Sequence, residues 1–315
     1  MINKKICVIG LGYIGLPTAA VLANKGYEVY GVDINEKIVN TVNKGNIHIV
    51  ETDLKKEVYL AVSSGNLKAY TELKPCEIYI ICVPTPLKTE KGIPFPNTDF
   101  ILSVAKSIAK IVKSNDMIIL ESTSPVGTTE KIKSIILNEG LNTKNIHFAY
   151  CPERVIPGNI ISELLDNDRI IGGITSKGTK EVAKFYKSFV RGNIVETSAK
   201  NAEMCKLVEN SYRDVNIAFA NELSLICDRE NINVWELINL ANKHPRVNIL
   251  QPSTGVGGHC IAVDPWFIIA RDNKNTRLIK SAREINDQKP MWAIDQIKNH
   301  ASRLEAINGK KPKIL

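Results

Sequence analysis

Lys5-Ile-Cys-Val-Ile9-Gly10-Leu-Gly12-Tyr-Ile-Gly15-Leu-Pro-Thr-Ala-Ala20 is the stretch on which the fold turns. Residues 4–9 read as a buried strand and 13–25 as a helix packed on it, with the glycines in the turn between. Gly10-x-Gly12-x-x-Gly15 therefore follows a strand and opens a helix. In that context the glycines let a pyrophosphate approach the backbone at the helix N-terminus. The other reading of the pattern is an incidental tight strand–helix turn. Glu28-Val-Tyr-Gly-Val-Asp33 reads as the second strand, and Asp33 ends it, 18 residues past Gly15, placed to accept ribose hydroxyls. Ile34 and Asn35 follow it, with no arginine for a 2′-phosphate, so the predicted cofactor is NAD rather than NADP.

Beyond this stretch, short apolar runs recur at 78–83, 117–121, 146–150 and 169–174, with helical patterns at 35–44, 98–112, 128–138 and 179–189. Strands and helices alternating at this spacing predict an α/β fold with a doubly wound, Rossmann-type, mostly parallel sheet over residues 1–197. The pattern then changes. Ser198 to Arg229 is one helical run without proline or glycine, which would span about 45 Å. A helix of that length joins domains or forms an oligomer core. Further helices are predicted at 233–242, 264–271 and 275–303, around a glycine-rich loop at 252–260, giving an all-helical central domain over 198–308. Residues 309–315 read as a turn and the opening of a further strand, the expected start of a third domain.

Composition excludes several classes. Of 315 residues 44% are hydrophobic and 23% charged, and no apolar stretch reaches the roughly 20 residues of a membrane span. The seven cysteines (7, 76, 82, 151, 205, 227, 260) contain no C-x-x-C pair, so neither a disulfide framework nor a metal site is indicated, and a reducing cytoplasm is the expected compartment. The formal charge of +8 suits an anionic nucleotide, although a lysine-rich solvated surface accounts for most of it. No cluster of basic and aromatic residues points to nucleic acid.

Candidate chemistry gathers at strand ends. Thr85 (Val83-Pro-Thr85-Pro86) and Thr123 (Glu121-Ser-Thr123-Ser-Pro125) are candidates for cofactor or water contacts, with turn and cap roles as the alternative. Cys151-Pro-Glu153-Arg154 ends another strand: the carboxylate suits a general base and the arginine a diphosphate, while pairing of Glu153 with a basic neighbour is the structural reading. Lys206, Asn210 and Arg213 share one face of the long helix, an arrangement able to bind phosphate and polarise an oxyanion. His244-Pro-Arg246 adds two potential anion contacts. Sharpest is Cys260, in Gly255-Val-Gly257-Gly258-His-Cys260-Ile-Ala-Val-Asp264. The glycines allow close approach of a ligand, and Asp264 can assist proton movement at the thiol. Such a cysteine can hold an aldehyde covalently, so an oxidation can run past the aldehyde to the acid.

With these motifs laid out, the chain resembles the nucleotide-sugar 6-dehydrogenases of the UDP-glucose/GDP-mannose dehydrogenase superfamily. The resemblance covers essentially the whole chain: 10–17, Glu121-Ser-Thr123, Pro152-Glu-Arg154, Lys206 with Asn210, and Cys260 with Asp264. His259-Cys260-Ile-Ala-Val-Asp264-Pro-Trp, the run from His244 to Leu250, and Pro157 in place of a second glutamate are similar to the branch acting on UDP-N-acetyl-D-mannosamine. The resemblance implies two NAD-dependent oxidations at C6, with Cys260 carrying a thiohemiacetal and then a thioester. It implies proton transfer and oxyanion stabilisation by Lys206 with Asn210 and Asp264, and activation of water by Glu153 near Thr123. Tyr13, Ile14, Asp33, Thr85 and Thr123 would lie at the cofactor. Arg154, Val155, Lys206, Asn210, Arg213, His244, Arg246 and Gly257 would lie at the UDP-sugar, and the long helix would form a homodimer core. It further implies that 309–315 begins a UDP-binding domain. The open alternatives are a 6-dehydrogenase for UDP-N-acetylglucosamine or UDP-glucose, and a non-catalytic NAD-binding and dimerisation fragment. A single-step β-hydroxyacid dehydrogenase would share the front half and long helix without needing Cys260.

Overall fold

Strand β1 (Lys5–Ile9) lies inside a sheet, paired in parallel with β2 (Glu28–Val32) on one side and β4 (Ile78–Ile81) on the other, with Cys7 opposite both Tyr30 and Tyr79. The computed structural model describes residues 4–90 and 92–313. Adding β3 (Leu67–Tyr70), β7 (Met117–Leu120), β8 (His147–Tyr150), β9 (Arg169–Gly173) and β10 (Ile194–Ser198) completes an eight-stranded sheet ordered β10-β9-β8-β7-β4-β1-β2-β3. The order reverses between β1 and β4, which opens the crevice where such sheets bind ligands. A small hairpin, β5 (Leu87–Glu90) and β6 (Ile93–Pro96), stands apart from the sheet.

Side chains alternate across the strands, so each face makes its own core. Ile6, Val8, Ile78 and Ile80 face one way, with Leu16 and Leu22 of α1 (Gly15–Asn24). Cys7, Ile9, Tyr79 and Ile81 face the other, with Ile101 and Ile108 of α4 (Asp99–Ala109) and Ile132 and Ile136 of α5 (Thr128–Asn138). Every residue of β4, β7 and β8 is buried, as expected of strands covered by helices on both faces. Helices α2 (Glu36–Asn43), α3 (Leu54–Ser63), α6 (Ile160–Asp166) and α7 (Ser176–Tyr186) complete the layers.

The doubly wound sheet agrees with the sequence. The differences lie at its edges. Edge strands β3 and β10, the β5–β6 hairpin and α6 carry no apolar run long enough to announce themselves, and α3, with its run Val58–Val62, was not singled out. One direction also differs from a fully parallel sheet: β9 runs antiparallel to β8, pairing Ala149 with Gly173, and β10 follows β9 in parallel. Helix α7 starts at Ser176 instead of 179, because the Thr175 side chain accepts from Gly178 N–H and caps it.

The chain divides into two compact units, Met1–Lys206 and Leu207–Leu315, the division falling inside α8 (Ala199–Glu230). The second unit is helical: the remainder of α8, α9 (Val234–Ala241), α10 (Asp264–Arg271) and α11 (Arg277–Asn308). Its interior is polar as well as apolar. Arg283 of α11 and Asp214 of α8, both fully buried, pair at 2.5 Å. Burial pushes the Asp214 carboxyl up, against the pull of Arg283. Helix α11 runs through Pro290 and ends at Gly309, whose φ of 64° is the left-handed conformation of a helix stop. Residues 309–313, where a strand was expected to open, are irregular, and 314 and 315 lie outside the described residues.

Candidate active site

The crevice at the sheet's switch point is lined by the glycine turn. Gly10 has φ of +92°, and a Cβ there would sit 2.8 Å from the Cys82 carbonyl oxygen at the end of β4. A Cβ on Gly15 would fall 1.8 Å from the Gly10 carbonyl oxygen, so that glycine is what lets α1 start against the turn. At Gly12 a Cβ would meet nothing within 4 Å. This is the open face of the loop, and it leaves the room a pyrophosphate needs. The helix start is uncapped: Ile14 offers no side-chain acceptor and the first turn holds no acid, so the positive end of the dipole is left for an anion. Asp33 ties the turn to β2, accepting Leu11 N–H at 3.0 Å on one oxygen and Asn35 N–H at 2.9 Å on the other. Each oxygen keeps a second lone pair for a ribose hydroxyl. Tyr13 is exposed and Ile14 half-buried beside it. These residues fit NAD.

The two threonines are brought together, Thr85 Oγ donating to the Thr123 carbonyl at 2.6 Å and linking the segments that follow β4 and β7. Beneath them lies a buried titratable cluster. Glu121 accepts from Tyr186 Oη at 2.5 Å and from the Cys82 thiol at 3.4 Å. Burial raises the Glu121 carboxyl above its ordinary range, with Arg169 pulling the other way and Glu153 adding to the rise. Burial likewise pushes the Cys151 thiol up to about 12.

Glu153 is buried at the end of β8. One of its oxygens accepts from Arg169 at 2.8 Å and the other from Arg154 N–H at 2.6 Å, while its backbone carbonyl accepts Lys206 Nζ at 2.6 Å. Arg154 reaches the Asp168 carbonyl at 2.5 Å, and Val155 is half-buried beside it. Two buried residues here hold the candidate site groups in place and were not singled out in the sequence. Arg169 is one: an arginine opening an apolar strand (Arg169-Ile-Ile-Gly-Gly) was the available signal. Glu203 is the other, fully buried one turn before Lys206. It accepts from Gly127 N–H at 2.6 Å and from the N–H and hydroxyl of Thr129 at 2.8 and 2.7 Å, fixing the start of α8 to the loop that follows Thr123.

In the second unit, Cys260 is exposed while the other six cysteines are buried or half-buried. The Cys260 carbonyl accepts the N–H groups of Val263 and Asp264 at 3.0 and 2.8 Å, closing a turn directly before α10. Asp264 begins α10, with Pro265 in the first turn, and its carboxylate accepts Asn210 Nδ2 at 2.6 Å. Both side chains are buried. Gly257 is exposed with open space where a Cβ would be. Arg213, His244 and Arg246 are exposed, and His244 Nδ1 accepts Arg246 N–H at 3.3 Å. The structure thus joins Thr85 with Thr123, Glu153 with Lys206, and Asn210 with Asp264 beside Cys260. It leaves Arg213 and the 244–246 pair on open surface.

A glycine turn opening an uncapped helix, an acid ending the next strand and a crevice between them define a dinucleotide-binding protein. Residues 4–190 match the NAD binding domain of the UDP-glucose/GDP-mannose dehydrogenase family and 200–288 its central domain. The chain belongs to that family, and it is an NAD-dependent oxidoreductase. It is 54% identical to UDP-N-acetyl-D-mannosamine dehydrogenase of Campylobacter jejuni over 98% of its own length and 77% of the relative's. It is 52% identical to NDP-N-acetyl-D-galactosaminuronic acid dehydrogenase of Ralstonia nicotianae, covering 96% and 73%. The solved UDP-D-ManNAc dehydrogenase of Pyrococcus horikoshii superposes with a TM-score of 0.90 at 40% identity, covering 96% of this chain and 72% of that one. Among the described residues no helix is long and apolar enough to cross a membrane.

Proposed function

We propose that this protein oxidises the C6 hydroxyl of UDP-N-acetyl-D-mannosamine to the carboxylate in two successive two-electron steps, in the cytoplasm. The carrying observation is the exposed Cys260 in a glycine-lined turn against the Asn210–Asp264 pair. Likeness to the Campylobacter enzyme supports the choice of sugar. NAD, when bound, accepts a hydride in each oxidation.

The remaining chemistry belongs to the chain. Lys206 moves the C6 hydroxyl proton and steadies the developing oxyanion, with Asn210 contributing an amide donor. The Cys260 sulfur adds to the aldehyde carbon, forming the C–S bond of a thiohemiacetal, and the intermediate stays on the protein. Removal of the second hydride leaves a thioester. Water then breaks the C–S bond, the acyl carbon leaving as carboxylate and the sulfur as thiol. Asp264 assists proton movement at the sulfur. Glu153, whose oxygens each retain a lone pair beyond their present bonds, orients the water near Thr123. Tyr13, Ile14, Asp33, Thr85 and Thr123 contact the cofactor, and Arg154, Val155, Arg213, His244, Arg246 and Gly257 the UDP-sugar. A domain boundary near residue 197 belongs to the same reading. So does a homodimer built on α8, whose Met204, Val208, Tyr212, Phe219 and Ile226 form an exposed apolar stripe.

The test is stoichiometry with this sugar. Two NADH per sugar and a uronate product are expected, with Cys260→Ser forming no acid while still binding NAD. One NADH per sugar, or uronate at the normal rate from Cys260→Ser, overturns the proposal.

A further inference from the structure

The loop that carries Cys260 is held at two points, and only the downstream one involves groups already given a role. Upstream, Ser253 N–H donates to Asn221 Oδ1 at 2.7 Å. Asn221 is fully buried and sits in a chain of polar groups. Its Nδ2 donates to Asn286 Oδ1 at 2.8 Å, and Asn286 Nδ2 donates to the Asp214 carboxylate at 2.8 Å and to its carbonyl at 3.0 Å. Arg283 closes the chain on the same carboxylate oxygen, and also meets Asp287. Asn221, Asn286, Asp214 and Arg283 are each no more than 1% exposed. A buried asparagine whose donor and acceptor are both engaged has one orientation, and it presents its oxygen to Ser253.

The geometry of α8 gives this arrangement its meaning. Asn210, Asp214 and Asn221 fall within about 40° of one another around the helix, and all three are buried. Asn210 holds Asp264 and Asn221 holds Ser253, at points about 16 Å apart along the same helix. Between the two anchors the loop is exposed at 257–260. The upstream end also packs closely on α11. Gly255 has φ of +144°, and a Cβ there would fall 2.8 Å from Pro290 Cγ and 3.5 Å from the Asn286 carbonyl oxygen. Pro290 has no N–H to return to that carbonyl, and its ring is what Gly255 packs against, one turn past Asn286.

We propose that Asn221 is a positioning residue for Cys260: with its orientation set by Asn286, it fixes the upstream end of the nucleophile loop on α8 as Asn210 fixes the downstream end through Asp264. This rests on the reading of Cys260 as nucleophile. Asn221 touches no reacting atom, and its effect is on where the thiol can go.

The experiment uses Asn221→Leu, which keeps the volume and removes both polar atoms. Amide exchange at Ser253, iodoacetamide alkylation of Cys260 and NADH yield per UDP-N-acetyl-D-mannosamine are measured together. Ser253 N–H is expected to exchange about tenfold faster, the worth of one lost hydrogen bond, with NAD affinity unchanged. Cys260 alkylation is expected to change rate, and NADH yield to fall below two per sugar as free aldehyde escapes, detectable by hydrazide capture. Asn221→Asp, which keeps the acceptor but loses the donor to Asn286, is expected to restore Ser253 protection only in part. Should Asn221→Leu fail to fold, Asn286→Ala reads the same amide, since it cuts the support and leaves the anchor. Wild-type exchange at Ser253 and a full NADH yield in the folded variant overturn the proposal. Cys260→Ser run in parallel separates the two ideas: acid formation by that variant defeats the nucleophile reading, while Ser253 exchange still judges the anchor.

Discussion

Asn210 and Asp264, one on the long helix and one at the first residue of α10, meet through a 2.6 Å hydrogen bond with both side chains buried. The bond sets the carboxylate one turn beyond Cys260, where a proton acceptor is useful to a thiol. Asp264→Ala is expected to cut uronate formation by on the order of a hundredfold or more, the scale of a lost acid–base group. It would also leave the Asn210 amide buried without its acceptor, lowering stability by about 1–3 kcal/mol. Steady-state rates and urea midpoints on the same variant separate the two effects. A wild-type rate would remove Asp264 from the chemistry.

Glu121 gives stability a pH dependence of definite sign. Burial raises its folded-state pKa, so the folded protein holds that proton more tightly than the unfolded chain does. The resulting stability is fully present below the ordinary carboxylate range and is lost as pH rises through the raised folded value. Glu121→Gln carries no such proton and can still accept from Tyr186. Urea midpoints of wild type and variant are therefore expected to diverge with rising pH, the wild type falling relative to Glu121→Gln. Parallel curves would contradict the assignment.

How much of this was legible in the sequence follows from what each residue is asked to do. The glycine turn announced itself because its glycines answer steric and ligand demands that other residues meet badly. β4, β7 and β8 were legible because both faces are covered and the runs are unbroken. The edge strands β3 (Leu-Lys-Ala-Tyr) and β10 (Ile-Val-Glu-Thr-Ser) mix polar and apolar residues and read as loop. The reversal at β9 was hidden, since alternation fixes which face a residue takes and not the direction of the strand. Arg169 and Asn221 were hidden for another reason. A lone arginine or a helical asparagine reads as solvated surface until a buried partner from elsewhere, Glu153 or Asn286, is seen beside it.

The exposed stripe on α8 is expected to be covered by a second copy. Phe219, 56% exposed near the middle of that stripe, is the position to charge. Phe219→Glu is expected to shift the protein from dimer to monomer in sedimentation equilibrium, with NAD affinity retained because the glycine turn is untouched. A wild-type sedimentation profile from Phe219→Glu, or a monomeric wild type, would remove α8 as the dimer seam.

Gly12 and Gly15 answer different demands, and substitution should separate them. A Cβ on Gly12 meets open space, so Gly12→Val is expected to fold with a near-normal melting temperature. Its methyl groups would stand where the pyrophosphate must come closest, and NAD binding is expected to disappear. At Gly15 the demand comes from the fold. A Cβ 1.8 Å from the Gly10 carbonyl would force α1 away from the turn, so Gly15→Ala is expected to lose stability by several kcal/mol, as overpacking a rigid backbone contact does. Calorimetric melting and NAD titration on the two variants give a crossed result if the turn is a cofactor site: one stable and non-binding, the other unstable. Undiminished NAD affinity in Gly12→Val would mean that the open face over this loop is not where the diphosphate lies.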